Sequence, residues 1–176
     1  MPLCHQAALR IRTNNLLVHF HDLIQGDYTR NINAESGDFI VQRADDIHGY
    51  ALTVVVDDAF QGVTAVIRGA DLLASTPEQI LMHHYLGLTV PVYGHVAIAT
   101  NPSSGKKLSK RYEATDALME SDPGSLLIRA LKFLGQQVDS QLIGADTASV
   151  ISWALESWDI ARVPRVKSLA GNMDML

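Results

Sequence analysis

A succession of short apolar runs between residues 38 and 99 constrains the fold more than any other feature of this sequence. Strands are predicted where β-branched and aromatic residues cluster, at residues 38–43, 50–56, 63–67 and 96–99. One helix is predicted between the last two strands, because Ser75-Thr76-Pro77-Glu78 is typical of a helix start and Gly87 of a helix end. Strands interleaved with a helix in this way favour an α/β fold over a β-sandwich.

Charged side chains follow these apolar runs, at the point where each predicted strand ends. Asp57 and Asp58 follow the second run, and Arg68 and Asp71 follow the third. Ligands of open α/β sheets bind beyond the carboxyl ends of the strands, so these residues are candidates for a site. The guanidinium of Arg68 is suited to binding a carboxylate through two parallel hydrogen bonds. A purely structural ion pair of Arg68 with Asp71 or Asp57 stays open as the alternative.

A basic loop follows the last predicted strand, with the sequence Gly105-Lys106-Lys107-Leu108-Ser109-Lys110-Arg111. Lysines beside a glycine and a serine can approach a polyphosphate closely, although such runs are also common in solvated surface loops. The loop is not a Walker A motif, since Thr100 stands where the first glycine is required and a second lysine follows Gly105-Lys106.

The two ends of the chain predict different structures. Residues 1–37 suggest two short strands, at 9–12 and 17–20, before a turn-rich stretch at 25–37. His19 and His21 would share one strand face, but one thiol, Cys4, is too few for a structural zinc site. After the basic loop, one helix is predicted from Asp122 to Gly135. A second helix near residue 146 is expected to bury Val150, Ile151, Ala154, Leu155 and Trp158, before a frayed tail from residue 167.

Composition limits the class of protein. The net charge of -5 means that any RNA contact would depend on a local basic patch. A single cysteine excludes an internal disulfide and favours a reducing compartment. No apolar run approaches the roughly 20 residues of a membrane span, and the N-terminus lacks the core of a signal peptide. These observations predict a cytoplasmic protein with no membrane contact.

An ordered series of short motifs makes the sequence resemble a known family. The series comprises residues 38–40, Tyr50 with 54–58, 62–64, 66–72, 76–79 and Lys107-Leu108-Ser109-Lys110. In order and spacing it is similar to the second half of the catalytic domain of class I aminoacyl-tRNA synthetases, in the glutamyl branch. Residues 131–137 and 158–164 are most similar to the short glutamyl-queuosine tRNA(Asp) synthetases of that branch. The resemblance implies the C-terminal half of a Rossmann-like α/β domain followed by a small helical appendage.

The resemblance also implies site residues and substrates. Tyr50 and Arg68 match the positions that bind L-glutamate, which agrees with a carboxylate-binding role for Arg68. Lys110 matches the signature-loop lysine that contacts ATP phosphates and stabilises charge on them, with Lys107 and Ser109 in support. Asp71 matches a polar contact to the nucleotide. The implied activity is a ligase that uses ATP, with Mg²⁺, and transfers glutamate to queuosine of tRNA(Asp); the intact family member is expected to be monomeric.

Two family features are missing from the sequence. No pair of histidines flanks a glycine as in the first signature motif, and the cysteines of the family's zinc site are absent apart from Cys4. We therefore expect an incomplete catalytic domain, divided into an insertion remnant at 1–37, the second half of the nucleotide-binding domain at 38–112 and a stem-contact-like helical region at 113–176. Two alternatives remain: a fragment that charges the 3′ end of tRNA(Glu), and a non-catalytic remnant that binds RNA or another partner.

Overall fold

The computed structural model describes residues 7–108 and 122–171. They form two compact units, the first from residues 7–68 and 72–94, the second from residues 69–71, 95–108 and 122–171. The helices and strands of the first unit are β1 (Leu9–Ile11), β2 (Leu17–Asp22), β3 (Gly26–Asn31), α1 (Ile32–Glu35), β4 (Phe39–Gln42), α2 (Tyr50–Phe60), β5 (Ala65–Gly69), α3 (Thr76–Leu86) and β6 (Val92–Val96). The last residues of β5 and β6 belong to the second unit. The domain division predicted from the sequence stays a prediction.

The first unit is built on a four-stranded sheet in the order β3-β2-β6-β5. Strands β2 and β3 form an antiparallel hairpin, whereas β2 and β6 pair in parallel at Asp22 and Tyr93. Strands β1 and β4 form a separate antiparallel pair. A mixed sheet carrying helices confirms the predicted α/β class.

The hairpin corrects the prediction for the turn-rich stretch at residues 25–37, most of which is β3 and α1. Polar residues dominate β3, with Asp27 and Thr29 exposed and Arg30 buried, so its composition did not indicate a strand. His19 and His21 do share one strand face, where their Nδ1 atoms lie 2.8 Å from Thr29 Oγ1 and from Asp27 Oδ1. Each histidine therefore has a polar partner on the neighbouring strand.

The predicted strand at residues 50–56 is wrong, because the structure places these residues in α2. Ala51 and Val55 are buried one turn apart, whereas Thr53 and Val56 are exposed. This burial has the period of a helix with one face on the core, and valines lower helix propensity by only about 0.5 kcal/mol each. Asp57 and Asp58 therefore do not end a strand but continue the helix toward Phe60.

Helix α3 confirms the predicted bounds. Pro77 lies in its first turn, and Gly87 ends it with a φ of +65°, a left-handed conformation that favours glycine. Ser75 at the helix cap position makes no side-chain cap hydrogen bond, and its hydroxyl donates to the Leu72 carbonyl instead. Helix α3 packs on α2 and β2, and its residues 80–82 lie in the main hydrophobic core.

The second unit contains β7 (Ile98–Thr100), α4 (Pro123–Phe133), α5 (Thr147–Ser157) and β8 (Ser168–Ala170). Asp122 and Asp146 cap α4 and α5 by accepting hydrogen bonds from Ser125 N and Ser149 N. The two helices pack through Ile128, Leu131 and Val150. Residues 168–170 are not frayed as predicted, because β8 pairs in parallel with β7.

The predicted buried face of α5 is only partly correct. Val150 is fully buried and Ala154 packs against the same cluster. Ile151, Leu155 and Trp158 are instead 46%, 80% and 43% exposed. The spacing of apolar residues predicted the helix, but it did not predict how much of the helix surface packs against the rest of the second unit. Among the described helices, none is both long and apolar enough to cross a membrane.

Candidate functional site

Arg68 lies near the end of β5 and is held by two side chains of α3. Its Nη2 donates to Thr76 Oγ1 over 2.9 Å and to Gln79 Oε1 over 2.8 Å. Thr76 and Gln79 are 0% and 1% exposed, so both contacts are shielded from water. The spacing of three residues places both acceptors on the same face of the helix. A guanidinium held in this way can present a fixed set of donors to an anion.

The ring of Tyr93 lies against the same guanidinium. Arg68 Cζ is 5.4 Å from the ring centroid, a distance at which a cation is attracted to an aromatic face. Tyr93 is 3% exposed, and burial raises the pKa of its hydroxyl to about 12, against a smaller opposing effect of Arg68. Tyr93 is therefore uncharged at neutral pH and contributes an aromatic surface rather than an ion pair.

Tyr50, the other predicted glutamate-binding residue, is the first residue of α2. Its backbone follows Gly49, which occupies the helix cap position. A side chain at Gly49 would meet the carbonyl oxygen of Ile40 at 2.4 Å, so the start of α2 lies directly against β4. The Tyr50 side chain is 58% exposed and is accessible to a ligand.

Asp71 and Lys107, predicted to act on the nucleotide, form an ion pair within the second unit. Lys107 Nζ lies 2.5 Å from Asp71 Oδ2. The hydrogen bond from Lys107 lowers the pKa of Asp71, with desolvation opposing it. Gly69 permits this arrangement, because a Cβ there would lie 2.6 Å from Asp71 Oδ1. The pair places one lysine of the basic loop beside the residues that follow β5.

The basic loop begins as a tight hairpin after β7. Thr100 and Lys107 form an antiparallel bridge, and Asn101 Oδ1 accepts hydrogen bonds from the backbone of Ser103 and Ser104. Gly105 completes the turn with a φ of +65°. Lys106 and Lys107 are exposed on this hairpin. The remaining predicted loop residues, Ser109, Lys110 and Arg111, lie outside the described residues.

His83 introduces an unusual electrostatic feature one turn after Gln79. It is 1% exposed, and neither ring nitrogen has a hydrogen-bond partner among the described residues. Burial lowers its pKa, while the charge of Asp58 on α2 opposes that shift. Both aspartates lie on α2 rather than at a strand end, Asp58 partly buried and Asp57 exposed.

Sequence analysis identified Arg68 but missed the residues that hold it. Thr76 and Gln79 belonged to the recognised motif at residues 76–79, and their spacing on a predicted helix was the available signal. Tyr93 offered no comparable signal, because its contact with Arg68 depends on how β6 and β5 are arranged in the sheet.

Comparison with a protein-family model shows a match over most of the chain. Residues 5–152 match the model described as tRNA synthetases class I (E and Q), catalytic domain. The match includes β5, α3 and the whole basic loop. Its start at residue 5 extends beyond the motifs that carried the resemblance in the sequence.

Relatives and solved structures agree with this match. The chain is 46% identical over 166 residues to a glutamyl-Q tRNA(Asp) synthetase of Ectopseudomonas mendocina, covering 94% of this chain and 56% of the relative. It is 46% identical over 157 residues to that of Thiobacillus denitrificans, covering 89% and 52%. A glutamate-tRNA synthetase structure from Elizabethkingia anophelis has a TM-score of 0.72 at 20% identity, covering 96% of this chain and 37% of that one. The chain thus spans about half the length of the curated relatives it matches.

Proposed function

The chain belongs to the class I tRNA synthetases (E and Q), within their catalytic domain, and from this premise we propose that it forms part of a glutamate-activating site. Arg68 and Tyr50 bind L-glutamate, and Arg68 engages a carboxylate. The observation that carries the proposal is the guanidinium of Arg68, held by Thr76 and Gln79 near the end of β5. A charged group with fixed donors is suited to orienting an acidic substrate.

The proposed reaction has two steps. The α-carboxylate of glutamate attacks the α-phosphorus of ATP, the bond between the α- and β-phosphates breaks, and pyrophosphate leaves. The glutamyl-adenylate then acylates the modified base of queuosine-containing tRNA(Asp), and AMP leaves. The chain's contribution is to position glutamate and to stabilise negative charge on the phosphates.

Lysines of the basic loop supply that charge stabilisation in the proposal. Lys110 contacts the phosphates, Lys107 and Ser109 support the loop, and Asp71 makes a polar contact to the nucleotide. The ion pair of Lys107 with Asp71 supports a loop held near the residues after β5. In the proposal Mg²⁺ enters with ATP, because this ion is commonly bound through substrate phosphates. We place the reaction in the cytoplasm, with tRNA as the partner.

Glutamate binding is the first test. Titration of the isotope-labelled 176-residue chain with L-glutamate, followed by NMR, should shift the Arg68 side-chain and Tyr50 backbone signals. Arg68→Gln should weaken binding by at least tenfold, on the typical contribution of a charged hydrogen-bonded pair. Arg165→Gln removes an exposed arginine of the second unit and is the matched control. Absence of shifts at Arg68 and Tyr50 would overturn the proposed glutamate site.

Two further assays test the reaction and its acceptor. Glutamate-dependent exchange of pyrophosphate into ATP reports adenylate formation without tRNA. Transfer of labelled glutamate to queuosine-containing tRNA(Asp), compared with unmodified tRNA(Asp) and tRNA(Glu), identifies the acceptor. The names of the relatives at 46% identity support queuosine-containing tRNA(Asp). Transfer to the 3′ end of tRNA(Glu) instead would contradict the proposed acceptor while leaving glutamate activation intact.

A further inference from the structure

We propose that a cavity in the second unit binds an unpaired guanine base of RNA through Trp153, Arg162 and Asp139. The cavity has a volume of about 500 Å³ and is lined by residues that follow α4, by residues of α5 and by the turn after α5. Small-molecule sites in proteins typically have volumes of roughly 300–1,000 Å³. The lining residues do not belong to the proposed glutamate or ATP sites, so the inference goes beyond the proposed function.

A buried glutamine holds the wall of the cavity that carries Arg162. Gln136 is 5% exposed, and its Nε2 donates to the Asp159 carbonyl over 3.1 Å. Its Oε1 accepts from the Asp159 backbone N–H over 3.0 Å. Asp159 Oδ1 in turn accepts from the backbone N–H of Ala161 and caps the short 3₁₀ turn Ile160–Arg162. The backbone that leads to Arg162 is therefore fixed before any ligand binds.

Asp159 also orients the guanidinium of Arg162. Its Oδ2 accepts from Arg162 Nε over 3.0 Å. This contact uses Nε alone, and Nη1 and Nη2 have no hydrogen-bond acceptor among the described residues. These two nitrogens form the end-on donor pair of a guanidinium, which can meet two neighbouring acceptors at once. The Arg162 side chain is 41% exposed, so a ligand can reach this donor pair.

Trp153 and Asp139 supply the other two interactions that a base requires. Trp153 packs against the cluster of Ile128, Leu131 and Val150 but is only partly buried, and it also lines the cavity. Unpaired bases of RNA stack on aromatic side chains of this kind. Asp139 is exposed, and its Oδ1 accepts from the backbone N–H that follows one residue later, which leaves Oδ2 as an acceptor for a ligand.

The charges of the cavity favour guanine over a phosphate group. Its charged side chains are Arg162, Asp139 and Asp159, so there is no excess of positive charge to attract a phosphate. Guanine is uncharged and presents two neighbouring acceptors, O6 and N7, to the donor pair of Arg162. Its N1–H and N2–H₂ groups are donors that suit the Asp139 carboxylate. Adenine has an N6–H₂ donor beside N7, which would face a donor of Arg162.

An RNA strand is the source of guanine that fits these charges best. The family of the chain consists of tRNA synthetases, and single-stranded regions of RNA expose their bases for recognition of this type. A free guanine nucleotide carries the concentrated charge of a terminal phosphate or triphosphate close to the two aspartates. Each phosphate within a strand carries a single charge and can remain outside the cavity.

Short RNA strands that differ in one base test the proposal. In the 176-residue chain with Trp158→Phe, Trp153 is the only tryptophan, so a stacked base quenches fluorescence that comes from the cavity. A strand of uridines with one central guanine should bind at least about fivefold more tightly than the same strand with adenine, as expected for one bidentate contact. A central 7-deazaguanine, which lacks N7, or hypoxanthine, which lacks N2–H₂, should each weaken binding.

Two substitutions in the Trp158→Phe chain assign these base atoms to side chains. In Arg162→Gln, guanine and 7-deazaguanine should bind equally, because no guanidinium reads N7. In Asp139→Asn, which keeps Oδ1, the difference between guanine and hypoxanthine should disappear. Arg165→Gln removes an exposed arginine that does not line the cavity, and it is the matched control. Circular dichroism establishes that each variant is folded.

The outcomes are separate from those of the proposed function, because these measurements use neither glutamate nor ATP. No quenching by the guanine strand, or equal binding of the guanine and adenine strands, would overturn the cavity as a guanine site. A preference for guanine that persists in both Arg162→Gln and Asp139→Asn would do the same. Tighter binding of GMP or GTP than of the guanine strand would overturn RNA as the source of the base.

Discussion

Lys107 Nζ lies 2.5 Å from Asp71 Oδ2. This ion pair connects a lysine of the basic loop to the second residue after β5. The contact is within the second unit, although Asp71 and Lys107 are 36 residues apart in the sequence. Their side chains are 34% and 53% exposed, so water screens the attraction. The pair therefore fixes the geometry of the loop base more than it stabilises the fold.

The pair makes a prediction for pH dependence. The pKa of Asp71 is lowered in the folded state, chiefly by the hydrogen bond from Lys107. Its contribution to stability is thus present above the unfolded pKa of about 3.9 and is lost as the pH falls through the folded pKa. Asp71→Asn should lower the free energy of unfolding at pH 7 by about 0.5 kcal/mol, measured by urea denaturation.

A double-mutant cycle with Lys107→Gln isolates the interaction. The coupling between the two substitutions should shrink below about pH 4 and in about 1 M salt, where the charges are removed or screened. Coupling that is the same at pH 7 and at pH 3.5 would show that the two residues do not interact as charges.

His83 predicts a loss of stability on acidification in a higher pH range than Asp71. Burial lowers its pKa, so the folded state resists protonation and the protein loses stability as the pH falls below the unfolded value of about 6.5. His83→Leu has a similar volume and removes two buried ring nitrogens that have no partner among the described residues. We expect it to raise stability at pH 7 by about 1 kcal/mol, and by more at pH 5.

Thermal denaturation between pH 8 and pH 5 measures this effect. His84→Gln is the control, because His84 is the next residue on α3 but is exposed. The melting temperature of the His84→Gln variant should change with pH as that of the wild type does between pH 8 and pH 5. We expect the difference in melting temperature between His83→Leu and the wild type to grow as the pH falls. A difference that stays constant between pH 8 and pH 5 would contradict the proposed effect of His83 burial.

Gly135 predicts a strong local effect on the second unit. Its φ is +77°, and a Cβ would lie 2.2 Å from the carbonyl oxygen of Arg162. Gly144 also has a positive φ, +82°, but open space around its Cβ position. Gly144→Ala should therefore cost about 1 kcal/mol from backbone strain alone. Gly135→Ala should cost at least about 3 kcal/mol, because backbone atoms must also move.

Urea denaturation of the two variants measures the difference between these costs. Equal losses of stability in Gly135→Ala and Gly144→Ala would show that the turn after α4 can move away from Arg162 without strain.

Lys110 carries the catalytic prediction of the proposed function. In a form of the protein that catalyses glutamate-dependent pyrophosphate exchange, Lys110→Ala should lower the exchange rate at least tenfold, the typical loss when a charge-stabilising group is removed. Lys106→Ala is the matched control, since Lys106 is an exposed lysine of the same loop. An exchange rate for Lys110→Ala within twofold of the Lys106→Ala rate would rule out the role of Lys110.

Local signals in the sequence were sufficient for several elements and for the family. The bounds of α3 followed from Pro77 in its first turn and Gly87 at its end, which act on their own backbone. The ordered motifs from residue 38 to the basic loop indicated the family that the comparison with the family model then showed. The position of Arg68 near a strand end was predicted in the same way.

Only the tertiary structure decided features that depend on distant neighbours. The run at residues 50–56 is helical because Ala51 and Val55 pack on the core from one side, and a short apolar run does not reveal this by itself. The partners of Arg68 and of Asp71 likewise come from α3, β6 and the hairpin after β7. The sequence thus determined the positions of charged side chains along the chain and the ends of helices such as α3, because helix ends depend on adjacent residues. Packing between elements far apart in the chain determined which of those side chains meet.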